Sequence, residues 1–208
     1  MPTTPILLLP YPAPGDPADV PTDMNELATR LETVITGATS GLTKIQDIKL
    51  ASPAANIDFT GIPATYTWLT LRAGCRSDAA TTAVDLLVRF NGDSTGSYYD
   101  VIFSSTGTTM TATEGLAATS GRVGALPAAS APAGWFGLAT IDVNEYASGN
   151  PKLWVGTSHA YWAATSTSHM TRTAGGAWAA TNAITRVTLL ASTGNLVAGS
   201  HATLYGMA

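Results

Sequence analysis

The chain has 208 residues, of which 45% are apolar and 12% charged, and it carries a net charge of −4. That is length enough for one well-filled core, and so apolar a composition with so little charge excludes intrinsic disorder. Lys44, Lys49 and Lys152 are the only lysines and the arginines are scattered. No basic patch is available for a nucleic-acid backbone or for anionic lipid.

Residues 1–22 contain Pro2, Pro5, Pro10, Pro12, Pro14, Pro17 and Pro21. Proline at this density forbids a helix or a central strand and leaves extended chain. Ile6, Leu7, Leu8, Leu9 and Tyr11 are too apolar to remain in water. The expectation is a stiff arm that lies in a groove of another protein and loses little chain entropy on docking. The apolar run is too short, and lacks the basic flank, for a signal peptide. No stretch approaches the ~20 apolar residues of a membrane span.

The spacing predicts one helix over residues 23–36, with Asp23 as N-cap, Glu26 three residues on and Gly37 as the stop. Met24, Leu27, Leu31 and Val34 form its apolar stripe, widened by Ala28 and Ile35. A helix of about four turns is marginal alone. Its stripe is expected to pack on the following domain or on the same helix in other copies, so that residues 23–43 help the chain trimerise.

From residue 44 to 208 the pattern is strands and turns. Strands are predicted at 44–50, 57–59, 66–73, 84–90, 98–104, 136–143, 152–160, 166–172, 184–190 and 202–205. Turns are predicted at 91–93, 105–107, 148–151, 175–176 and 192–195, with 112–132 as a long surface loop. Val84, Leu86, Val88 and Phe90 share a face, with Asp85 and Arg89 opposite. Such alternation predicts an all-β, antiparallel, jelly-roll-like sandwich with one wet face.

Catalytic vocabulary is sparse. Cys75 is the only cysteine, so it cannot form an internal disulfide and is expected to pack as a small apolar group. His159, His169 and His201 fall on separate strands without zinc spacing. Copies of His159 or His169 gathered around a threefold axis could form a metal cluster. Asp85, Asp93, Asp100, Asp142 and Glu145 are the acids available for a glycosidase pair, and Asn91-Gly92-Asp93 lacks the ligand spacing of a dedicated calcium loop. Phosphate-loop, dinucleotide, nucleophile-elbow and zincin motifs are missing. The expectation is therefore a non-enzyme with no cofactor and no resident metal. Trp135, Trp154, Tyr161, Trp162 and Trp178 crowd the second half of the chain. Tyr161, Trp162 and Trp178 lie beside turns and are expected to be exposed, where aromatic rings flanked by hydroxyls suit a sugar.

Several phrases together resemble a known family. IDFTGIPATYTWLTLRAGCRSD from Ile57, LLVRFNGD from Leu86, FGLATIDVNEYA from Phe136 and RVTLLASTGNLVAGSHATLYGMA from Arg186 resemble pieces of the β-sandwich of bacteriophage tail fibres, minor tail proteins and capsid spikes. PYPAPGDPADVPTDMNELATRLE from Pro10 is similar to the attachment segment of actinobacterial-phage fibres. The resemblance covers most of the chain and implies a homotrimeric virion protein, made in the bacterial host cytoplasm. It implies attachment to a capsid or tail protein through residues 1–22 and adhesion to a host-surface glycan. A capsid-decorating protein without host binding is the alternative, and a glycan depolymerase a third.

Overall fold

The computed structural model describes residues 20–37, 41–162 and 169–207. Ile6, Leu7, Leu8, Leu9 and Tyr11 lie outside the described residues. The chain divides into two units, Met1–Leu42 and Thr43–Ala208.

In the first unit, helix α1 spans Val20–Gly37. It begins three residues before the expected start. Proline fits a helix's first turn, where its missing N–H would have no intrahelical acceptor. Pro21 therefore opens the helix, and Asp23 lies inside it rather than capping it. Of the apolar stripe, Met24 is 61% and Leu31 43% exposed, and Leu27 is half-buried. The side chain of Val34 lies outside the described residues.

The second unit is an antiparallel β-sandwich, with twelve strands among the described residues. They are β1 (Thr43–Lys49), β2 (Asn56–Thr60), β3 (Trp68–Cys75), β4 (Ala83–Phe90), β5 (Tyr98–Thr106), β6 (Thr109–Ala118), β7 (Gly121–Pro127), β8 (Gly137–Asn144), β9 (Lys152–Tyr161), β10 (His169–Trp178), β11 (Arg186–Ala191) and β12 (His201–Met207). The larger sheet runs β1-β12-β3-β8-β9-β10-β5-β6, and the smaller runs β2-β11-β4-β7.

Strict alternation decides which side chains enter the core. On β4, Val84, Leu86, Val88 and Phe90 are buried while Asp85 and Arg89 are half-exposed, as the pattern predicts. Leu69, Leu71, Ala73 and Cys75 of β3 face them from the larger sheet with Ile141, Val143 and Leu204. Cys75 is fully buried, and burial pushes its thiol up to about 12, so it is a packing group without thiolate character. The turn after β4, which carries the chain from the smaller sheet to β5 of the larger, is built on Asn91 and Gly92, both with positive φ (54° and 69°). Asn91 Oδ1 also accepts the backbone N–H groups of Thr185 and Arg186, tying the turn to the start of β11.

Two expectations are corrected. Residues 112–132 are not a surface loop but contain most of β6 and all of β7. Thr, Ala and Gly make up seven of the ten residues of β6, and Gly, Ala, Arg and Pro five of the seven of β7, so neither shows the row of large apolar residues that marks a strand in sequence. Gly175-Gly176 is not a turn but lies inside β10. Gly176 pairs directly with Trp154 of β9. A Cβ on Gly176 would lie 2.1 Å from the indole ring, and one on Gly121 of β7 would lie 2.4 Å from it. The ring thus occupies a slot that two glycines leave open, walled by Phe90 and Tyr98 at centroid distances of 5.9 and 6.1 Å.

Gly176→Ala should lower stability by about 1–3 kcal/mol through overpacking. Urea denaturation will measure this, and Trp154→Leu in the same chain should recover part of the loss.

Candidate functional site

The outward face of the larger sheet carries the side chains that alternate with the core. On β9 these are Leu153, Val155, Thr157, His159 and Tyr161, because Trp154, Ser158 and Ala160 point inward. Cross-strand register places Thr157 beside Thr140 of β8, and Thr140 beside Arg72 of β3. Arg72 in turn pairs with Thr203 of β12, and His159 with Leu138 of β8 and Thr171 of β10.

These residues line two adjoining depressions of about 280 and 390 Å³ that share Leu138, Ala139 and Thr140. Together they form a shallow groove crossing five strands. Its polar groups have definite settings. The His159 ring Nδ1 lies 3.1 Å from the Thr171 hydroxyl. His201 Nε2 lies 2.8 Å from Asp47 Oδ1, and the Thr203 hydroxyl donates to the same oxygen. Those contacts, Thr203 foremost, hold the Asp47 carboxyl below its usual range. Arg72 is exposed, and no carboxylate among the described residues lies within ion-pair distance of it. Its guanidinium donors face solvent.

A run of rings leads outward from the groove. His159 and His169 lie 6.2 Å apart, His169 and Tyr161 5.4 Å, and Tyr161 and Trp135 4.7 Å with planes at 50°. Trp135 is half exposed. It sits on the loop between β7 and β8, and Arg76 holds that loop. The Arg76 guanidinium donates to the carbonyls of Ala131 and Pro132 at 2.7 Å each, and to those of Trp135 and Ala129 at 3.2 and 3.4 Å. A nearly buried cation satisfied wholly by main-chain oxygens is a rigid clamp.

Of the aromatics expected at the surface, Tyr161 and Trp162 are half-buried, at and just beyond the end of β9. Trp178 is corrected: it is 2% exposed and belongs to the core. It packs 5.6 Å from Phe90, and its indole N–H donates to Asp93 Oδ2 at 2.7 Å. The partner of Tyr161 is instead Trp135, distant in sequence and brought in by the clamped loop. Of the candidate acids, Asp93 and three others are engaged separately, while Glu145 is exposed. Asp85 pairs with Arg172, Asp100 with Arg122, and Asp142 accepts from Thr70. Among the described residues no group of three or more His, Cys, Asp or Glu side chains could hold a metal ion.

No family model matches the chain, and no curated protein matches it. Among solved structures, a galectin from Caenorhabditis elegans is similar at 10% identity, covering 81% of this chain and 99% of that one with a TM-score of 0.28. A likeness this slight carries no argument about what the chain does.

Two outcomes follow from the geometry. Arg76→Met should free the 129–135 loop, read as faster amide exchange there and stronger acrylamide quenching of Trp135, with the strands unchanged. The second concerns pH. The Trp178 indole, then Thr95, holds the Asp93 carboxyl at about 2, below its ordinary 3.8. A depressed folded-state value means that stability is fully present above the ordinary value and is lost as pH falls through the folded one. Melting temperature should therefore fall between about pH 4 and pH 2, and Asp93→Asn should flatten that slope.

Proposed function

We propose that the chain is a structural protein of a bacteriophage virion, a short homotrimeric fibre or spike. Residues 1–22 attach it to a capsid or tail protein, the α1 stripe of Met24, Leu27, Leu31 and Val34 helps three copies associate, and the sandwich binds a host-surface glycan. The phrases from Pro10, Ile57, Leu86, Phe136 and Arg186 support the virion assignment by their resemblance.

The observation that carries the adhesive role is the groove across β12, β3, β8, β9 and β10. Threonine hydroxyls at 140, 157, 171 and 203 alternate with Arg72, His159 and His201, and the run of rings ends on the Tyr161–Trp135 pair. Sugars present hydroxyls at their edges and apolar C–H faces, which suit this mixture. A shallow groove open along the sheet fits a polysaccharide lying across it better than a small enclosed ligand. In this reading the groove holds glycan without cleaving it; the engagement of Asp85, Asp100 and Asp142 by Arg172, Arg122 and Thr70 is consistent with that.

The test is retention of the purified protein on a panel of bacterial cell-wall polysaccharides. One of them should bind, its chain length should not change, and Tyr161→Ala and Thr157→Val should each weaken binding about tenfold, or ~1.4 kcal/mol. Failure to bind any of the panel, or equal binding by all variants, rejects the reading.

A further inference from the structure

The outward face of the larger sheet is not uniform. The groove takes the half formed by β12, β3, β8 and the far end of β9. The other half, on the near end of β9 and on β10 and β5, is apolar. Leu153 is 66% exposed, Val155 54%, Phe103 55%, Tyr99 42% and Val101 39%. Register makes these neighbours rather than scattered residues. Val155 and Val101 both pair with Gly175, Leu153 and Tyr99 both pair with Ala177, and Phe103 lies one step along beside Thr173. The face therefore has two apolar ridges, one on β9 and one on β5, with a channel between them floored by Gly175 and Ala177. Gly175 has open space where a Cβ would stand.

Among the described residues of this unit, the side chains along that channel stay exposed. The ridge residues, with Met110 and Leu116 on β6, together expose on the order of 700 Å², most of it apolar. The largest patch of a typical monomer is about 300–600 Å², and each partner in a stable interface contributes about 800 Å².

We infer that this ridge-and-channel face is buried against a second copy of the chain, and that it forms the contact between β domains in the trimer. The inference rests on the trimer proposed above and locates its main interface. Two observations select a second copy over another partner. The five ridge residues carry no charge, so copies of the ridges and channel can pack around a threefold axis without like-charge repulsion; the one charge on this face, Glu114 opposite Val101, lies on its edge strand β6. The edge beside it is also open to a copy. β6 carries one charge, Glu114, and no lysine or proline, whereas the opposite edge strand β1 carries Lys44, Asp47 and Lys49. Lysine, proline and charge are the usual guards of a free sheet edge. β1 has such guards and β6 has almost none, as expected if β6 and the face next to it are covered in the assembled protein. A ridge of one copy then seats in the glycine–alanine channel of the next, as in packing between sheets.

The experiment is sedimentation velocity on the full chain, with circular dichroism as the check on folding. Wild type should sediment as a trimer. Phe103→Asp/Val155→Asp should sediment as a monomer with an unchanged spectrum, and Thr157→Asp, on the polar half, should remain trimeric. Phe103→Thr/Val155→Thr keeps strand-forming residues. It is the variant to use if aspartate disrupts the fold, and it should raise the dissociation constant at least about tenfold. A wild-type trimer that these face variants leave intact overturns the interface while the trimer stands. A monomeric wild type overturns both, and leaves the face to another segment of this chain or to another protein.

Discussion

The structure depends on where one indole goes. Trp154 shares with Trp178 the place of largest side chain in the core, and it fits only because the residue opposite it on β10 and the residue facing it from β7 are both glycine. With Phe90, Tyr98 and Trp178 it forms an aromatic cluster that joins the two sheets. β9 pairs with β8 and β10 without a register shift, so its side chains alternate throughout and fixing Trp154 inward fixes every other residue of the strand. Leu153 and Val155 must then face out at one end, and Thr157, His159 and Tyr161 at the other. A slip of one residue would put the groove's hydroxyls into the core and the tryptophan into water.

What was legible in the sequence follows the same logic. Strands such as β4 show their buried face directly, because large apolar residues alternate with charged ones. The turn at Asn91-Gly92 is equally legible, because few residues other than asparagine and glycine tolerate its backbone. β6 and β7 are hidden because their partners, not their own residues, supply the bulk. Gly121 is a strand residue because a tryptophan of another strand fills the space above it. Gly176 misleads for the same reason, and Trp178, two residues on, is mistaken for a surface ring although it closes the core.

The groove was legible only in part. Tyr161 stands out by its place beside a turn, but Trp135 becomes its neighbour through Arg76, and no local pattern links positions 76, 135 and 161. The threonines are individually unremarkable. Their meaning comes from register, which sets Thr140 beside Thr157 on the next strand and Arg72 beside Thr203 from a strand far along the chain. Lys152 is comparable to Arg76 in the core: its buried ammonium donates to the carbonyls of Ser148, Asn150 and Thr181, and burial lowers its pKa. Both cations answer main-chain oxygens that would otherwise be left without donors.

The clamp at Arg76 has an evolutionary corollary. All four of its bonds go to backbone oxygens of residues 129–135, so none of them depends on which side chains that loop carries. The loop can exchange its residues, Trp135 among them, while its path over the sheet stays the same. Folding is thereby insulated from mutation at the rim of the groove. One scaffold can present successive surfaces to a changing ligand without being rebuilt each time.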